Sequence, residues 1–241
     1  HEIERLNVDV LLSTEANRDV IAALNADEVI VATGARRGLP NVPGAELSHV
    51  LTGDALRAVI TGEKESNNRS LSALGKVIVA TGRTIGLLNS VDRIRSLSKT
   101  WMPVGKRVVV IGGGLVGLEL AEFLAERGRK VTVLEEGPHM GLPMAMPRRW
   151  TAVIKATKHG VVLVRDASVV SIDKVSVRYR VGEDEFEARG DTVVVASQVE
   201  PDSKLADKLS GLGIRIQVVG DALNVGYIEG AMHTAHEVAR E

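Results

Sequence analysis

The chain has 241 residues, 44% hydrophobic and 25% charged, with a formal net charge of -1. That length can bury a sizeable core in one large or two small domains, and the near-neutral charge gives no reason to expect nucleic acid as a partner. No apolar run reaches the length of a membrane span and no signal peptide is visible, so the expectation is a cytoplasmic protein with no membrane partner.

The absence of cysteine excludes disulfides, a thiol redox pair and a cysteine-held iron–sulfur cluster within this stretch. Aromatic residues are only 2% of the chain, so the core must rest on Val, Leu, Ile and Ala, with few rings to stack on bases.

In chain order, the alternation at residues 8–12 predicts a strand, and residues 17–24 a short helix. Residues 28–35, EVIVATGA, read as a strand running into a glycine turn. The proline-rich stretch 36–44 reads as a loop that wraps a surface, and 51–60 as a helix entered from Thr52. Residues 61–103 form a long connection with two weakly helical stretches, 71–88 and 91–101. The phrase VIVATG recurs at 77–82, which reads as coincidence rather than an internal repeat.

The most informative segment is 106–136, KRVVVIGGGLVGLELAEFLAERGRKVTVLEE. An apolar run over 108–111 suits a buried parallel strand. Gly112 permits a tight turn, Gly114 lets backbone approach a pyrophosphate, and Gly117 lets the following helix lie close to the strand. Gly113, Leu115 and Val116 complete that turn and the helix start, whose unpaired N–H groups favour phosphate. The helix ends at Arg127 and a C-cap glycine, Gly128. A second strand over 131–134 delivers Glu135 about 20 residues beyond the glycines, where a carboxylate accepts from ribose hydroxyls. Glu135 and Glu136 would repel a ribose 2′-phosphate, so NAD(H) is favoured over NADP(H).

Beyond this half, 161–164, 168–172 and 175–180 read as short meander strands, and 191–196 as a buried strand. A last strand over 214–219 ends at Gly220-Asp221, before a helix over 227–240. The alternation predicts an α/β fold of two Rossmann-like, doubly wound, parallel-sheet units. The histidines His49, His139, His159, His233 and His236 show no metal or triad spacing, and no catalytic residue is assigned. No Tyr-x-x-x-Lys pair occurs, which argues against a short-chain dehydrogenase.

Three landmarks in order, Ala32-Thr33-Gly34, the turn from Gly112 to Gly117, and Gly220-Asp221 before a terminal helix, resemble the two-dinucleotide-binding flavoprotein reductases. Together with EVIVATGA, VVVIGGGLVGLE and GYIEGAMH, they are similar to the C-terminal part of the NADH:flavin oxidoreductase/2,4-dienoyl-CoA reductase family, relatives of old yellow enzyme. The resemblance implies an NAD domain (104–190) inserted in an incomplete FAD domain (1–60 and 191–241), with 61–103 as a helical connection. It implies that Gly112, Gly114, Gly117 and Glu135 hold NAD, with Glu119 near the nicotinamide. Ala32, Thr33 and Gly34 would lie near FAD, Asp221 beside Gly220 would accept from its ribityl hydroxyl, and Tyr227 and Ile228 would aim N–H groups at the flavin.

In that family an N-terminal barrel carries FMN and a 4Fe–4S cluster and receives the electrons, so the implied partner is such a barrel, outside this chain. A homo-oligomer stays open. The first glycine-rich FAD turn expected before Val8 is not in these residues, so the chain reads as a fragment. Ser197-Gln198 stands where Thr-Gly is usual in the family. The alternative reading is a module that holds ADP or NAD without redox turnover, as in the amine dehydrogenases.

Overall fold

The computed structural model describes residues 2–53, 55–56, 102, 104–197 and 199–240. The elements in order are α1 (Glu2–Arg5), α2 (Arg18–Ala23), β1 (Glu28–Val31), β2 (Ala35–Arg37), β3 (Val50–Thr52), β4 (Arg107–Ile111), α3 (Leu115–Ala125), β5 (Lys130–Leu134) and α4 (Met146–Lys158). Then come β6 (Val162–Val164), β7 (Ala167–Ile172), β8 (Ser176–Val181), β9 (Asp184–Arg189), β10 (Thr192–Val195), β11 (Val199–Pro201), α5 (Lys204–Leu209), β12 (Arg215–Val218) and α6 (Tyr227–Val238). The chain divides into two compact units, His1–Arg36 with Val199–Glu241, and Arg37–Gln198.

The larger unit has three layers. Its centre is a parallel sheet in the order β3-β10-β4-β5-β6. In β4, Val108, Val109 and Val110 are fully buried, as a strand covered on both faces requires. Successive side chains point to opposite faces. Val108 and Val110 join Leu118, Ala121 and Leu124 of α3 and Ala156 of α4 in one core. Val109 and Ile111 join Ala167, Ile172, Val177 and Ala188 in the other, so the antiparallel sheet β7-β8-β9 covers the face opposite the helices.

Two devices fix the centre of this sheet. Gly112, at φ +101, turns the chain out of β4, and Gly117 in the first turn of α3 lies against it. A Cβ on Gly117 would fall well inside contact distance of the Gly112 carbonyl oxygen. At the other end of β4, Asp191 accepts from the Arg107 backbone N–H at 3.0 Å and from its Nη2 at 2.7 Å, pinning the starts of β4 and β10 together.

In the smaller unit β1 and β12 pair in parallel, from Glu28 opposite Arg215 to Val31 opposite Val218. Asn17 caps α2 by accepting from the Asp19 and Val20 N–H groups, both at 3.0 Å. Arg18 at the head of that helix donates to the Ser210 carbonyl at 3.1 Å.

Several expectations change. Residues 8–12 form no strand: Val8, Val10, Leu11 and Leu12 are exposed, and no neighbouring strand offers them a ladder among the described residues. Residues 50–52 are a strand, and the helix read from 51 begins only after it: residues 53, 55 and 56 are helical, and the Thr52 Oγ1 accepts from the Ala55 N–H at 3.2 Å as its cap. The strand at 162–164 extends the parallel sheet instead of joining the meander, whose third member is the charged β9. The strand at 192–195 sits between β3 and β4 in the larger unit, not in the outer one, so the unit boundaries fall near residues 37 and 198 rather than at 60, 104 and 191. Residues 54 and 57–60 of the helix read over 51–60, the 61–103 connection apart from Met102, the second VIVATG and Gln198 lie outside the described residues.

Gly117→Ala should lower stability by about 1–3 kcal/mol, the usual cost of forcing an extra methyl into a filled site, read as a drop in the urea midpoint. The Arg107 guanidinium holds the Asp191 carboxyl below its ordinary value. A lowered folded-state pKa adds stability above the unfolded value and loses it as pH falls through the folded one. Asp191→Asn should therefore unfold at lower urea than the parent chain at neutral pH, with the gap closing as the solution is acidified below the usual aspartate range.

Candidate functional site

The first candidate site forms where β4 and β5 end. Glu135 follows β5 directly, and its carboxylate folds back over the glycine turn. Oε2 accepts from the Gly113 N–H at 2.6 Å and Oε1 from the Gly137 N–H at 2.9 Å. An ionised carboxylate has about four acceptor positions, so capacity for ribose hydroxyls remains. Gly113 is packed beneath, with the Met140 sulfur and the Glu135 Cβ filling the space a side chain would need.

The start of α3 carries orphan donors, as helix starts do. The Leu115 N–H is taken by the Leu142 carbonyl at 3.1 Å, and the Leu118 N–H by Gly114 at 3.0 Å. Among the described residues Val116 and Gly117 N–H have no acceptor, and they lie at the positive end of an 11-residue helix. That is the donor set a pyrophosphate fits. Beside the turn, a cleft of about 280 Å³ brings Gly112, Glu135 and Glu136 together with Pro40, Asn41 and Val42 of the proline-rich loop, Ala167, Ser168 and Val169, and Ser197. The glycines and acids were readable in sequence. Ser197 stands at the position where the family resemblance expects a Thr-Gly turn, whereas the loop and the start of β7 join the cleft only through the sheet order. Ser197 packs closely, since a Cβ on Gly112 would sit 2.8 Å from its backbone nitrogen.

Glu119 does not line this cleft. It projects from α3 to Arg148 on α4, with Nη2 donating to Oε1 at 2.7 Å.

The second candidate site lies in the smaller unit. An apolar cavity of about 630 Å³ is lined by Ala32, Gly34, Gly220, Asp221, Tyr227 and Ile228, joined by Val219, Ala231, Met232 and Ala235. Asp221 Oδ1 accepts from the Gly226 and Tyr227 N–H groups, both at 2.9 Å, which anchors the start of α6. Among the described residues Oδ2 has no partner. Tyr227 holds φ +55, a conformation costly for a residue with a side chain, and it is fixed there by the Asp221 carboxylate. The Ile228 and Glu229 N–H groups have no acceptor among the described residues. Thr33 is turned away, its Oγ1 donating to the Asp202 carbonyl at 2.9 Å.

One cluster escaped the sequence spacing. Carboxylate and imidazole atoms of Glu122, Glu126 and His159 lie within 4.8 Å of one another. The Lys155 ammonium already faces Glu122 at 3.9 Å and supplies positive charge there. No helix among the described residues is long and apolar enough to cross a membrane.

The chain is similar to known proteins. The chain is 30% identical over 240 residues to NADH oxidase of Thermoanaerobacter brockii, covering 99% of this chain and 31% of that protein. It is 29% identical over 221 residues to bilirubin reductase of Mediterraneibacter gnavus, covering 92% and 28%. Among solved structures, 2-naphthoyl-CoA reductase superimposes with a TM-score of 0.73 at 22% identity over 98% of this chain and 30% of that one. Histamine dehydrogenase from Rhizobium sp. 4-9 gives 0.67 at 18% identity over 95% and 31%. The solved structures establish the fold, and the chain spans under a third of the length of each of these four proteins. A profile of the pyridine nucleotide-disulphide oxidoreductase family matches residues 7–223, so the chain belongs to that family as an FAD/NAD-binding domain.

Proposed function

We propose that this chain is the nucleotide-handling part of a longer NADH-dependent flavoprotein reductase of the NADH:flavin oxidoreductase/2,4-dienoyl-CoA reductase type. The observation that carries the reading is the pairing, at one turn, of two open helix N–H groups with the Glu135 carboxylate. Val116 and Gly117 would hold the pyrophosphate, and Glu135 would hold the adenosine ribose, with Glu136 adding charge against a 2′-phosphate. NAD(H) is thereby preferred to NADP(H).

The residues of the smaller unit fit a flavin dinucleotide. The apolar walls suit a ring system, the free Asp221 oxygen suits a ribityl hydroxyl, and the Ile228 and Glu229 N–H groups suit an electron-rich edge. Bound together, the two cofactors supply hydride transfer from nicotinamide to flavin. This chain's share is orientation and exclusion of water, which alone can lower a barrier by about 7–11 kcal/mol. A further domain carrying FMN and a 4Fe–4S cluster is the proposed electron acceptor, in keeping with the share of its relatives that this chain covers.

A second reading, a module that holds ADP or NAD without turnover, is favoured by Glu119. The side chain assigned to the nicotinamide is engaged by Arg148 instead.

Calorimetric titration of the chain with NADH, NADPH, ADP and FAD separates these readings. NADH should bind more tightly than NADPH, and Glu135→Ala should weaken NADH about tenfold or more, the scale of a lost charged hydrogen bond. Equal affinity for ADP and NADH with no FAD bound would favour the silent module. No binding of any nucleotide would overturn both.

A further inference from the structure

A separate groove of about 490 Å³ in the larger unit lies between α4, β6 and the loop after β5. Its apolar lining includes Met140, Trp150, Val153, Ile154 and Leu163. Trp150 is 63% exposed and Ile154 47% exposed, although both face the groove rather than a scattered surface. The rim carries the opposite character: the guanidinium groups of Arg149 and Arg165, and the His139 imidazole. Neither guanidinium meets a carboxylate among the described residues. Arg149 donates only to the Met146 sulfur at 2.9 Å, and Arg165 has no side-chain partner.

Uncovered aromatic surface and unpaired charge meet at one place, and one kind of molecule complements both. A guanidinium fork matches a carboxylate with two parallel hydrogen bonds, and the indole face accepts a flat or extended apolar body. The volume lies within the range of small-molecule sites. A phosphate without an apolar body would leave Trp150 and Ile154 in water, and a neutral hydrocarbon would leave both arginines unpaired.

We propose that this groove binds a small carboxylate with an apolar body, an aryl-alkyl or medium-chain acyl acid, at a site distinct from the dinucleotide turn. The acid's head group pairs with Arg165 and Arg149, and its body lies along Trp150 and Ile154 toward Leu163.

The test is calorimetric titration of the full chain with octanoate and 4-phenylbutyrate, against octanol and 4-phenylbutanol as uncharged counterparts. The expected result is one saturable site of about millimolar affinity or better for the acids and none for the alcohols. Arg165→Ala and Trp150→Ala, both at exposed side chains, should each weaken the acids tenfold or more while the circular dichroism and melting point stay those of the parent chain. Alcohols binding as well as acids, variants binding as well as the parent chain, or no saturable binding would each overturn the assignment. Complete displacement of the acid by NADH would also overturn it, by merging the groove with the nucleotide site.

Discussion

The close approach of Gly117 to the carbonyl oxygen of Gly112, which leaves no room for a Cβ, sets the geometry around it. Because no side chain separates the first turn of α3 from the end of β4, the helix axis is pressed onto the sheet. Leu118, Ala121 and Leu124 then reach Val108 and Val110 directly. The same contact directs the start of the helix, with its open N–H groups, at the ends of β4 and β5. Core packing and the phosphate-type site are thus two results of one missing Cβ. The Arg107–Asp191 pair at the far end of β4 keeps the strand in register while the turn holds its near end.

The two units use the same device at their candidate sites. In each, a carboxylate just past a strand end accepts two backbone N–H groups from nearby loop residues. Glu135 takes Gly113 and Gly137, and Asp221 takes Gly226 and Tyr227. Both carboxylates are therefore held in place before any ligand arrives, so little ordering entropy is left for binding to overcome. Tyr227 shows what this can enforce, since its left-handed backbone is held by an acceptor within the same loop.

The glycine turn, its helix and Glu135 were legible because each is written in adjacent residues whose types have local physical meaning. The glycine stop is an example: Gly128 holds φ +75 with its N–H donating to the Ala125 carbonyl at 2.9 Å, although the cap is Glu126 and the last turn of α3 carries no basic residue. Sheet membership was not legible in this way. Buried parallel strands such as β4 and β10 look alike in sequence, and which one neighbours which depends on long-range packing. β3, at three residues, is too short to show a period. β9 hides behind its charges: Asp184, Glu185 and Glu187 face solvent, while Ala188 alone is buried, and Phe186 stacks on Tyr179 across the ladder at 5.7 Å. Residues 8–12 err the other way, with a strand-like alternation and no partner to pair with among the described residues.

Glu135 is tied to the fold as well as to the proposed ligand, and this limits how the proposed nucleotide preference could change. Exchanging it for a cation that would welcome a 2′-phosphate also strips acceptors from Gly113 and Gly137, which are half-buried or packed under neighbouring side chains. A lineage changing coenzyme at this position would need a second substitution to rebuild those hydrogen bonds, and the intermediate sequence would carry a loosened turn. Glu136, exposed and without such ties among the described residues, is the position free to drift first.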